Sequence, residues 1–188
     1  MAGGWGRLSG RTFSWSRPLL LALDVHYRDD HATAAGVLFQ DWSDCHPAKT
    51  LVRTARPVHP YIPGQFYLRE LPGLRRVIDD VKGETHLIVV DGYVTLGKEG
   101  RPGLGHHLFE ALDGRIPVVG VAKSPFPGTP PASRLLRGQS LTPLYITAAG
   151  LTLEEAKAGV ARMAGPHRVP TLLRAVDRLC RTARSDES

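Results

Sequence analysis

Two aspartates and one lysine each stand directly after a short apolar run. Asp24 follows Leu19-Leu20-Leu21-Ala22-Leu23, Asp91 follows Leu87-Ile88-Val89-Val90, and Lys123 follows Val118-Val119-Gly120-Val121-Ala122. A carboxylate beside a buried run is costly unless it is paired or coordinates a metal. Each aspartate alone also fits an ordinary strand-to-turn junction, and Asp91-Gly92 is a common turn pair. Two of them on neighbouring strands favour a metal centre. Hard carboxylate oxygens suit Mg²⁺, with Mn²⁺ able to substitute. Such ions activate water and steady a leaving oxygen in phosphodiester hydrolysis. Lys123 would then offer an ammonium to the charge that develops at the attacked phosphate. Read alone, it is a strand-end lysine in solvent.

Other residues gain meaning only in this company. Glu70 follows a rigid Pro-rich loop, and Asp177 lies near the C-terminus. By themselves both read as solvated helix charges. Tyr61 lies between Pro60 and Pro63. It is a candidate wedge or stacking platform for a base, or a loop aromatic packed on the core. Arg69, Arg75, Arg76, Arg101 and Arg115 are candidate phosphate contacts, though most such residues are solvated. Adjacent histidines such as His106 and His107 do not share a helical face. The eight histidines form no HExxH pattern, so no zinc site is expected. No nucleophile elbow and no Walker loop occurs, and Gly103-Leu104-Gly105 lacks the third glycine of a dinucleotide loop.

The elements that must carry these groups follow from pattern. The run at 19–23 reads as a strand buried on both faces. Further strands are expected at 32–40 and 49–56, making an antiparallel meander. Prolines and glycine make 59–64 a rigid loop. Leu71, Leu74, Ile78 and Val81 have helical spacing over 66–81, disturbed at its start by Pro72 and Gly73. A strand at 86–90, a Gly-rich loop at 95–105, a helix at 106–112, a strand at 116–121 and a short strand at 143–147 follow. Thr152 and Glu155 form a capping-box pattern for a helix ending near Gly165-Pro166. Pro170 suits the first turn of a last helix, with Leu173, Val176, Leu179 and Cys180 on its apolar side. The fold class expected is α/β: a mixed sheet, antiparallel strands first and parallel strands later, with helices on both faces. In such sheets, sites lie off the strand ends.

Length and composition set the frame. The 188 residues suit one domain, divided here as a flexible basic leader (1–17), a folded domain (18–182) and a tail (183–188). The net charge of +6 favours polyanions such as nucleic acid. No apolar run reaches the roughly 20 residues of a membrane span. The start lacks the apolar core of a signal peptide. Cys45 and Cys180, far apart in sequence, suit a reducing compartment, and the cytoplasm is expected.

From about Leu19 to Asp177 the chain resembles endonuclease V, a metal-dependent nuclease family with an RNase H-like fold. That family cuts DNA or RNA near deaminated bases, chiefly inosine. The most specific stretch is Pro60-Tyr61-Ile62-Pro63-Gly64 followed by Arg69-Glu70. Leu23-Asp24-Val25, Val90-Asp91-Gly92, Gly103-Leu104-Gly105-His106-His107, 117–123 and 143–146 fit in order and spacing. The resemblance implies Asp24, Glu70 and Asp91 as metal ligands, with Asp177 as a late acidic group. It implies Lys123 as the active-site lysine and Tyr61 as the wedge, in a loop with Pro63 and the close-approach Gly64. Gly92 would border the displaced base and His107 the scissile region.

The chain also departs from the pattern. The first strand starts by residue 19, where the family has a preceding helical segment. Asp91-Gly92-Tyr93-Val94 replaces Asp-Gly-x-Gly, so the Val94 side chain would narrow or close the base pocket. Residues 95–102 and Ala149-Gly150-Leu151 are altered, and the loop after Lys123 is shorter. These changes spare the acidic set and fall on the recognition surface. The reading is a monomeric Mg²⁺-dependent endonuclease acting on DNA or RNA, without membrane contact. The rivals are a non-cutting nucleic-acid binder of the same fold and a small nucleotide or phosphoester hydrolase on the same centre.

Overall fold

The computed structural model describes residues 19–28, 31–55, 67–81, 83 and 85–183. The expected leader at 1–17, the loop bearing Tyr61, Pro63 and Gly64, and the tail beyond 183 lie outside the described residues. Seven strands make one sheet: β1 (Leu19–Arg28), β2 (His31–Phe39), β3 (Lys49–Ala55), β4 (Thr85–Asp91), β7 (Val118–Ala122), β8 (Arg134–Leu135) and β9 (Leu144–Ala149). Their spatial order is β3-β2-β1-β4-β7-β9-β8. The apolar runs take the centre, because only a strand covered on both faces can hide a continuous hydrophobic stretch. Leu19, Leu21 and Leu23 turn to one face, where α1 (Tyr67–Asp79) and α2 (Leu104–Ala111) bury Leu74, Val77, Ile78 and Leu108. Leu20 and Ala22 turn to the other, under α3 (Leu153–Arg162) and α4 (Thr171–Thr182), with Val160, Val176 and Cys180.

The first three strands form the antiparallel meander, and β1, β4 and β7 run parallel. The parallel trend then stops: β9 is antiparallel to β7. A parallel return needs a crossover, usually a helix. The connection after β7 holds only a three-residue 3₁₀ turn (Pro131–Ser133) and β8, which pairs antiparallel with β9. Other boundaries also differ from the sequence pattern. Helix α1 runs through Pro72 and Gly73. Two short strands, β5 (Thr95–Leu96) and β6 (Arg101–Pro102), pair within the stretch expected to be plain loop. Helix α3 has the expected capping box: Thr152 Oγ1 accepts from the Glu155 amide at 3.2 Å, and the Glu155 carboxylate accepts from the Thr152 amide at 2.9 Å. It stops at Arg162, because Met163 leaves the helical region with a ψ of 141° and Gly165 has a φ of +106°. Among the described residues no helix is long and apolar enough to cross a membrane.

Gly120, in the middle of β7, makes room for the turn that leaves β4. A Cβ there would lie 2.6 Å from the Gly92 carbonyl oxygen and 2.8 Å from both Thr147 Oγ1 and the Val94 nitrogen. Those last two atoms are themselves hydrogen-bonded, Val94 N–H donating to Thr147 at 2.8 Å. Backbone atoms this close cannot yield as a flexible side chain would. Gly120→Ala is therefore expected to lower stability by about 1–3 kcal/mol, read as a shift of the urea midpoint at unchanged slope.

Candidate active site

The β1–β4 ladder ends at the pair Leu23 and Val90. The next residue on each strand is an aspartate. Asp24 is not a strand terminus, as its apolar run suggested: β1 continues to Arg28 against β2 alone, and Asp24 pairs with Ala35. What ends at Asp24 is the contact with β4. The strands part there and open a notch. By the two-residue alternation of a strand, Asp24 and Asp91 face the side of Leu20, Ala22, Leu87 and Val89, which α4 covers. That helix brings Asp177 over the notch, and single carboxylate oxygens of Asp24, Asp91 and Asp177 all lie within 4.8 Å of one another. Lys123, the residue after β7, bonds its ammonium to Asp91 Oδ2. Glu70 comes from α1, on the opposite face. It lines the same notch with Leu23, Asp24, Val25, Leu74, Val90, Asp91 and Leu104, but stands outside the cluster of three.

The electrostatics follow from this crowding. Two unit charges about 4–5 Å apart repel by roughly 3–4 kcal/mol at an effective dielectric near 20. Burial, and then the charge of Asp91, push the Asp24 carboxyl up to about 7, although the Val25 amide donates to it at 2.8 Å. Burial, then Asp24 and Asp91, push Glu70 up to about 8. Burial works to lower the Lys123 pKa. The hydrogen bond and charge of Asp91, with Asp24 and Asp177 behind it, outweigh that and hold it above its ordinary value. Asp177 also accepts from Arg181 Nε at 3.0 Å on the helix surface. Lys123 thus brings a cation to the notch, and it feels the charge of three aspartates.

The remaining candidates are placed as follows. Gly92 has a φ of +137°, a backbone state that L side chains rarely adopt, and open space where a Cβ would stand. Val94 is fully buried in the core against Gly105. Its side chain thus points into the core and not into the open space at Gly92, contrary to the narrowing expected from sequence. His107 stacks on Tyr67, ring centroids 3.6 Å apart, at the start of α1. Several arginines offered as phosphate contacts have other partners. Arg69 lies over the Tyr27 ring, Arg75 donates to the Ala111 carbonyl, and Arg115 pairs with Asp113.

Two residues at the centre were not site candidates: Arg168 had no sequence signal, and Cys180 was expected only on the apolar side of the last helix. Arg168 donates to the Lys123 carbonyl oxygen at 3.2 Å and reaches the Pro143 carbonyl at 3.5 Å. It therefore steadies the backbone that carries the lysine. Nothing local marks it, since its partner lies 45 residues away. Cys180 packs beneath the cluster, where burial, then Asp24 and Asp177, push its thiol up to about 12. It stays a neutral packing group.

Comparison with known proteins connects this notch to a family. A profile describing endonuclease V matches residues 11–153. The chain belongs to the endonuclease V family. The endonuclease V of Streptomyces avermitilis is 30% identical over 182 residues, which cover 86% of this chain and 78% of that protein. An S. avermitilis endonuclease V crystal structure matches at a TM-score of 0.67 and 28% identity, over 88% of this chain and 80% of that one. The fold is shared more widely. Ciona intestinalis endonuclease V, in complex with a DNA 23mer containing an inosine followed by a ribo-adenosine, matches at a TM-score of 0.71 and 16% identity, over 88% and 85% of the two chains.

For an endonuclease V, the expected group in such a notch is a divalent metal, and the donor set fits one. Three carboxylates lie within reach of a single ion, and the donors are all hard oxygens. The pH response follows from the two raised carboxyls. Asp24 and Glu70 hold their protons more tightly in the folded state than in the unfolded chain. Between about pH 4 and pH 8 the folded state therefore binds more protons, and stability falls as pH rises. In EDTA, the melting temperature is expected to be higher at pH 5 than at pH 8 by roughly 5 °C or more. Added Mn²⁺ or Mg²⁺ should raise it more at pH 8 than at pH 5, because binding displaces protons. A melting temperature flat across this range would remove the carboxylate crowding as a source of strain.

Proposed function

We propose that this family member is a monomeric, Mg²⁺-dependent endonuclease that hydrolyses phosphodiester bonds in DNA or RNA beside deaminated bases such as inosine. The observation that carries the reading is the set of carboxylates at the end of the β1–β4 ladder, with Lys123 bonded to one of them. The Ciona protein's inosine-containing DNA supports the substrate class. The free cysteines Cys45 and Cys180 support a reducing, cytoplasmic setting.

In this reading Asp24, Asp91 and Asp177 hold the metal, and Glu70 closes the notch from the α1 side. The metal, when bound, supplies an activated water and offsets charge on the phosphate. Asp91 orients the Lys123 ammonium, and Arg168 holds its backbone, so that a full positive charge stands at the notch before substrate arrives. A preorganised cation of this kind stabilises charge that grows in the transition state without further reorganisation. Gly92 leaves bare backbone beside the cluster, where the base would stand. Tyr61, Pro63 and Gly64 supply the wedge, and His107, held by its stack on Tyr67, borders the cut strand.

The test is cleavage of matched end-labelled DNA and RNA oligomers, each with and without one inosine, in Mg²⁺, in Mn²⁺ and in EDTA. Cutting one phosphodiester beyond the inosine, absent in EDTA and abolished in Asp91→Asn, is the expected result. Lys123→Ala should lower kcat by about 10²–10³ while leaving the melting temperature within a few degrees. Cutting without inosine preference would keep the nuclease and discard the lesion. Tight binding with no cutting in either metal would make the protein a non-cutting binder.

A further inference from the structure

Helix α4 does more than deliver Asp177. Its exposed side carries Arg174, Arg178 and Arg181, at spacings of four and three residues. At 3.6 residues per turn these fall within a sector of roughly 60°, directly beside Asp177. Arg181 is bonded to Asp177, and Arg28, at the end of β1, donates to the Arg181 carbonyl at 3.4 Å. The guanidinium row therefore runs past Asp177 of the acidic cluster, and Arg28 extends it at the end of the helix. Arg174 and Arg178 have no carboxylate partner among the described residues, unlike Arg53, Arg115 and Arg162. Together with Thr171 and Ala175 they line an open surface depression. Three cations on one side of a short helix repel each other, and nothing in the core needs them there.

We propose that Arg174, Arg178 and Arg181, extended by Arg28, form a phosphate track that holds one strand of the nucleic acid as it passes the acidic cluster. This rests on the nuclease reading above and adds the path of the strand. From Arg174 to Arg181 the helix rises about 10 Å, which is about three steps of a duplex at 3.4 Å per nucleotide. The row reads backbone charge and carries no base information.

The test uses Arg174→Gln/Arg178→Gln and Arg174→Lys/Arg178→Lys beside the wild-type protein. Arg181 is left intact because it touches Asp177. Binding of an end-labelled inosine-containing duplex is followed by anisotropy in EDTA, from about 50 to 200 mM salt, and cleavage is followed in Mg²⁺. The glutamine pair is expected to reduce the slope of log K against log salt by about 2 and to weaken binding at every salt concentration. The lysine pair should keep most of the slope. Both variants should melt with the wild type, since these side chains are exposed. An unchanged slope and affinity in the glutamine pair, with wild-type cleavage intact, would overturn the track and leave the nuclease standing. So would a lysine pair as impaired as the glutamine pair. A wild-type protein that neither binds nor cuts would remove the nuclease reading, and the track with it.

Discussion

Like charges held close together dominate this molecule. Asp24, Asp91 and Asp177 point single oxygens into a space under 5 Å across, and Glu70 stands at its rim. The unfolded chain has no such repulsion, so folding must supply enough apolar burial to hold the arrangement. It does so by placing each aspartate one residue beyond a hydrophobic anchor. Leu23 and Val90 are almost fully buried just before Asp24 and Asp91, and Val176 is buried next to Asp177. The charges cannot retreat into solvent without pulling those anchors out of the core. Burial of a large aliphatic side chain contributes about 1.5–3 kcal/mol, comparable to the repulsion between two of the carboxylates. Protons on Asp24 and Glu70, or a metal, relieve the rest.

The opening that admits substrate to these charges comes from a mismatch of strand lengths. β1 extends to Arg28, while β4 ends at Asp91. Past Leu23 and Val90, β1 has β2 on one side and, among the described residues, no strand on the other. β7 ends nearby and contributes Lys123. α1 with Glu70 and α4 with Asp177 reach this gap from opposite faces of the sheet. The turn after β4 is held in place by Gly120 beneath it and by the Thr147 hydroxyl, which accepts from the Val94 amide.

The altered stretch after Asp91 is a built structure. Tyr93 donates to the Ser124 carbonyl at 2.8 Å and accepts from the Phe126 amide at 3.1 Å, and Arg101 lies over the Phe126 ring. These contacts tie the β5–β6 hairpin to the segment after Lys123. The stretch after Asp91 is therefore braced against the strand end that carries the lysine. Val94 contributes to the core from the same stretch, leaving the surface at Gly92 free.

Much of this was legible in the residues alone. The apolar runs at 19–23, 87–90 and 118–122 marked the central strands, because a strand covered on both faces must be continuously hydrophobic. The capping box at Thr152 and Glu155 marked the start of α3 by local hydrogen bonding. Asp24, Asp91 and Lys123 stood out because a charge beside a buried run is costly and invites explanation. The direction of β9 and the extension of β1 beyond Asp24 were not legible, since both depend on which strand lies alongside. The inward turn of Val94 depends on Gly105 and the core beyond it. Glu70 and Asp177 read as solvated charges by their own local pattern, and only the family resemblance marked them; the sheet and two helices are what bring them to one gap. Sequence determines what is local: period, caps and the burial a run demands. Which distant charges share a space, and which arginines have no partner, is decided only when the chain closes on itself.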